Sequence, residues 1–146
     1  MASRVSARVQ QLLADRKLLR ANITREMVLK EISAAETDMK EAEDSLSRGK
    51  NKWATIQGYY SIFHSGRALL YSRGFREKSH YALFLALQEL FRNELESSLI
   101  QNYEEAMNLR QEADYDLKFS EEGANETVEG ATKFSRRAKE ILKLIR

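Results

Sequence analysis

The chain has no cysteine, no proline and only two histidines, and each shortage removes a class of protein. Without cysteine there is no disulfide, no thiol nucleophile and no thiolate metal site. Without proline, and with six glycines in 146 residues, little interrupts a long helix. The two histidines, His64 and His80, stand in no motif with metal-ligand spacing, so no dedicated metal site is expected. Neither a Gly-rich phosphate loop ending in Gly-Lys-Ser/Thr, nor Gly-x-Ser-x-Gly, nor His-Glu-x-x-His is present, and no cofactor is expected. The longest apolar run, Tyr81 to Leu87, is far too short to cross a bilayer, and no apolar stretch follows Met1. The expectation is a cytoplasmic protein with no membrane partner.

What remains is a chain of helix formers, rich in Ala, Leu, Glu, Lys and Arg, with 32% charged residues. The composition predicts one all-α domain over residues 1–146, an up-and-down helical bundle of four to five core helices plus an N-terminal helix. Residues 1–22 are expected to form that peripheral helix, with Val5, Val9, Leu12 and Leu19 as a narrow apolar stripe, and residues 24–146 the bundle. Val28, Ile32, Ala35, Met39, Ala42 and Leu46 step by four and three, predicting a helix that ends near Arg48-Gly49. The next, from Asn51 to Arg73, is apolar around most of its circumference and should be central, with small residues Gly58, Ser61, Ser65 and Gly66 permitting close neighbours in the bundle or across a two-fold axis. A fourth helix starts near Ser79 or His80 and ends around Arg92-Asn93, a fifth runs from about Leu95 to Leu117, and a sixth starts at Ser120. Arg110 falls on the apolar seam of the fifth, where Asp114 four residues on can pair with it in a structural role.

The turn between the third and fourth helices concentrates the chemistry. Gly74 follows the last periodic residues as a helix-ending glycine does, and Ser79 is placed to cap the next helix. His80 then sits in a first turn, where free N–H groups and the positive end of the macrodipole favour an anion and a neutral imidazole. Arg73, at the end of the preceding helix, could share a pocket with it. A neutral histidine beside an arginine and a phosphate site suits acid/base work on phosphodiesters. Arg67, Arg73, Arg76 and Lys78 against Glu77 also give the turn a local positive surplus within a net charge of only +2, and the segment Lys133 to Arg146 is basic too. Tyr60, His64, Arg67 and Tyr71 recur at spacings of four, three and four, which either aims a polar seam at this pocket or packs the rings in the core.

The run Tyr-Tyr-Ser-Ile-Phe-His-Ser-Gly-Arg-Ala-Leu-Leu-Tyr-Ser-Arg-Gly-Phe-Arg-Glu-Lys-Ser-His, Tyr59 to His80, resembles the central helix pair of HEPN domains, the "higher eukaryotes and prokaryotes nucleotide-binding" family. The likeness extends more weakly from about Glu31 to the C-terminus, including Arg110-Gln111-Glu112-Ala113-Asp114-Tyr115. It implies a helical bundle, usually a homodimer, and in many members a metal-independent ribonuclease or the toxin half of a pair with a minimal nucleotidyltransferase partner. The family's catalytic pattern is an arginine, four to six residues, then a histidine. Arg73 and His80, with six residues between them, fit its long limit. On that resemblance His80 takes the proton of a ribose 2′-OH and Arg73 offsets the charge at phosphorus, with a second copy of the turn supplied by a dimer. Arg76, Lys78, Tyr71, Arg67 and His64 are the candidates for contacts to RNA or a nucleotide. The alternative is a helical module that binds a nucleotide or a nucleotidyltransferase without turnover.

Overall fold

The computed structural model describes residues 6–145. Val5 and Arg146, counted above in the N-terminal stripe and the basic C-terminal segment, lie outside the described residues. The regular structure of the described chain is helical except for one two-stranded ribbon. In order it forms α1 (Ala7–Ala14), β1 (Leu18–Arg20), α2 (Arg25–Ser47), α3 (Asn51–Ser72), β2 (Phe75–Glu77), α4 (His80–Leu90), α5 (Ser97–Tyr115) and α6 (Glu121–Ile141).

The helices start and stop where the side chains can satisfy the free ends of the backbone. Thr24 accepts from the Met27 N–H at 3.2 Å, Ser79 from Ala82 at 3.0 Å and Ser120 from Gly123 at 2.9 Å. After α2 and α3 the chain reverses through Gly49 and Gly74, whose φ angles of 72° and 80° carry no Cβ penalty only because they are glycine.

Helix α3 is the central element, packed against α2, α4, α5 and α6. Tyr59, Ile62, Leu69 and Leu70 on it are fully buried, and Leu83, Leu87, Phe91, Tyr103 and Phe134 close over them from the other helices. Its glycines serve approach inside the bundle. A Cβ on Gly66 would stand 2.7 Å from Leu87 Cδ1 and 3.1 Å from the Tyr103 ring, and one on Gly58 would stand 2.9 Å from Thr127 Cγ2.

The N-terminal segment departs from expectation. The helix predicted to reach Ala21 ends at Ala14, and Arg16, at φ 58°, turns the chain into β1. That strand pairs antiparallel with β2 inside the α3–α4 connection, with Leu18 opposite Glu77, Leu19 opposite Arg76 and Arg20 opposite Phe75. The segment is not peripheral either: Val9, Leu12 and Leu18 belong to the main core. The cause is the partner strand: Phe75 and Glu77 turn inward while Arg76 points out, so β2 offers an unpaired edge that Leu18–Arg20 completes.

Candidate functional site

The turn between α3 and α4 is held from two sides. Gly74 N–H donates to the Tyr71 carbonyl, while the Gly74 carbonyl accepts from Ala21 N–H, both at 2.9 Å, and Lys78 N–H donates to the Lys17 carbonyl at 3.0 Å. With Ser79 capping α4, His80 becomes the first residue of that helix.

The His80 ring lies flat against Phe63, centroids 4.2 Å apart, and edge-on to Tyr60 at 6.0 Å. Its Nδ1 is 2.7 Å from the Tyr59 hydroxyl. Nε2 has no hydrogen bond to any described residue, and the residue is half-buried. Burial, followed by the positive charges of Arg110 and Arg67, pushes the His80 pKa below its ordinary 6.5, so the imidazole is neutral at physiological pH. Arg110, the seam residue of α5, is buried, with its guanidinium 4.9 Å from the Tyr59 ring centre and 5.8 Å from that of Tyr60. The expected pair with Asp114 is present at 3.7 Å.

Beside this lies a chain of ion pairs. Arg67 grips the buried Glu77 through Nε at 2.8 Å and a terminal nitrogen at 2.6 Å, and reaches Glu31 of α2 at 3.4 Å. Glu31 also meets His64 Nδ1 at 2.6 Å, and Asp38 lies 3.7 Å from His64 Nε2. Burial alone would raise the Glu31 pKa, but its bond to His64 and the charge of Arg67 outweigh that and hold it below the usual carboxylate value. Of the seam at Tyr60, His64, Arg67 and Tyr71, only Tyr60 meets His80 through its ring. His64 and Arg67 are engaged by carboxylates, and Tyr71 is buried with Arg67 6.0 Å from its ring.

The structure does not bring Arg73 to the His80 of its own chain. Its guanidinium lies over Phe91 at 4.3 Å, donates to the Leu90 carbonyl at 3.3 Å and pairs with Glu94 at 3.2 Å. Those partners sit at the C-terminal end of α4 and His80 at its N-terminal end, about 15 Å apart along the helix. Arg76 and Lys78 are exposed, and neither forms an ion pair among the described residues. The groups that do surround His80 include Tyr59 and Arg110, neither of which the sequence places at this site. Arg110 carried the one available signal, a charge on an apolar seam.

The chain matches the family model of the HEPN domain over residues 28–146. It is 35% identical over 114 residues to "Putative toxin MJ0605" of Methanocaldococcus jannaschii, covering 71% of this chain and 85% of that protein. It is 31% identical over 102 residues to "Putative toxin MJ0142" of the same organism, covering 68% and 69% respectively. In fold it is similar to TT1696 from Thermus thermophilus, with a TM-score of 0.68 at 16% identity over 77% of this chain and 96% of that one. The helical bundle with α3 at its centre and the family match over most of its length lead to one assignment: the chain belongs to the HEPN domain family.

Proposed function

We propose that this is a toxin-like HEPN protein that cleaves RNA without a metal ion, as a homodimer, at the surface around His80. The observation that carries this is the state of His80: a half-buried, neutral imidazole with an open Nε2, faced by the charges of Arg110 and Arg67. The naming of two relatives as toxins supports the same class.

In such a cleavage the ribose 2′-oxygen attacks the adjacent phosphorus, the bond to the 5′-oxygen breaks, and the products carry a 2′,3′-cyclic phosphate and a 5′-hydroxyl. The 2′-oxygen loses a proton and the 5′-oxygen gains one, while negative charge at phosphorus must be offset. His80 is the residue that meets the phosphate. Arg76 and Lys78, exposed on the same turn, hold flanking phosphates without reading sequence. Arg73 lies a helix length from its own His80, so it joins the site only from a second subunit, through a two-fold axis crossing α4. A minimal nucleotidyltransferase is the proposed partner that silences it.

A second reading, binding of a nucleotide or of that partner without turnover, is favoured by the hold that Phe91, Leu90 and Glu94 have on Arg73. Incubation of purified protein with RNA in excess chelator separates the two. Cleavage by wild type that is lost in both His80→Ala and Arg73→Ala supports the nuclease. Absence of cleavage with retained nucleotide binding supports the module.

A further inference from the structure

Tyr59 is completely buried, and its hydroxyl lies 2.7 Å from His80 Nδ1, with the Arg110 guanidinium 4.9 Å from the centre of its ring. A neutral histidine carries its proton on one nitrogen or the other, and the partner decides which. If the proton sat on Nδ1, the phenol oxygen would have to accept it, leaving the phenol hydrogen without an acceptor in a dry site. Arg110, the charged group beside that ring, offers donors only. If the proton sits on Nε2, the phenol donates to the Nδ1 lone pair, and the Arg110 guanidinium over the phenol ring disfavours a further proton on the imidazole. Of the two arrangements, only this one pairs the buried Tyr59 phenol hydrogen.

We propose that Tyr59 and Arg110 are positioning residues that fix the proton of His80 on Nε2, so that the imidazole meets a phosphate oxygen as a hydrogen-bond donor and not as a base. The proposal rests on the reading of His80 as the residue that meets RNA, and it changes the role that the family resemblance implies for it. Phe63 holds the ring flat, and Nε2 is left open toward a ligand. Of the charged groups that face His80, the arginines oppose an imidazolium and one carboxylate favours it. From α3 come Tyr59, Tyr60, His64 and Arg67, from α5 Arg110, and from β2 Glu77. Glu77 is the one group among them that favours an imidazolium, and its carboxylate is held by Arg67. Burial keeps the Tyr59 phenol protonated by raising its pKa well above the ordinary value, so the donor is always present.

The test is nitrogen NMR of the His80 ring in the full chain, with inorganic phosphate as the probe. Wild type at neutral pH should show the proton on Nε2, and added phosphate should shift that Nε2–H signal. Tyr59→Phe, which keeps the buried ring, should give mixed tautomers and raise the His80 titration midpoint. Arg110→Gln should raise it as well, and Arg110→Lys should restore it; a role in packing alone would move neither. A wild-type proton on Nδ1, an unchanged tautomer in Tyr59→Phe, or an Nε2–H signal indifferent to phosphate would overturn the proposal. Wild type and Tyr59→Phe decide the matter even where Arg110→Gln fails to fold. None of these readouts needs RNA cleavage. A protein that cuts no RNA yet shows the Nε2–H donor refutes the nuclease alone, and one that cuts RNA with its proton on Nδ1 refutes this inference alone.

Discussion

The buried carboxylate of Glu77 is paired by Arg67 through two nitrogens while the face of the guanidinium rests on Phe63. Removing the cation leaves a buried charge alone, whereas removing the acid frees an arginine that can turn toward water. Arg67→Met should therefore destabilise the fold by about 3 kcal/mol and Glu77→Gln by clearly less, as read by urea unfolding. His80 gives a second expectation at this scale. Its folded pKa lies below the ordinary 6.5, so as pH falls the unfolded chain binds the proton first. Stability should fall as pH drops below about 6.5 and level off below the folded value, the reverse of what an ion-paired histidine would do. Unfolding midpoints at about pH 7.5 and 5.5 check it, and His80→Gln should flatten the difference. The sequence pointed to His80 because Ser79 and Gly74 mark its position at a helix start. It could not show Tyr59 as more than a core aromatic, because the role of that hydroxyl depends on a ring that only tertiary packing brings to it.

Among the elements, the ribbon of β1 and β2 matters most to the site, since it turns the α3–α4 connection from a free loop into a paired strand. Leu18 anchors it in the core. Leu18→Ala should cost about 2–5 kcal/mol and speed hydrogen exchange at the Lys78 amide, which bonds to Lys17. A loss of stability with no change at that amide would mean the ribbon does not hold the turn. The long helices were readable because stripes such as Ile32, Ala35, Met39 and Ala42 recur over many turns. The ribbon was not, because three residues of strand carry almost no local pattern and their partner lies beyond two helices. Arg73 shows the same limit. Its place at the end of α3 follows from Gly74, but the direction of its side chain was decided by Phe91 and Glu94.

At the scale of the whole molecule, one chain supplies an imidazole at one end of α4 and an arginine at the other. The bundle thus carries both halves of the proposed pair and keeps them apart within the protomer. Gly58 and Gly66, which the sequence left free to serve either the bundle or a subunit interface, are used inside the bundle against Thr127 and Leu87. A shared site then depends on how α4 meets its counterpart. Among the described residues no helix is long and apolar enough to cross a membrane. The most direct measurement is RNA cleavage in chelator by His80→Ala and Arg73→Ala subunits, each alone and after unfolding and refolding together. The account predicts two inactive variants whose mixture recovers about a quarter of wild-type activity, since half of the dimers formed at random are mixed and each has one intact Arg73–His80 pair in place of two. A mixture as inactive as its components, beside an active wild type, would contradict it.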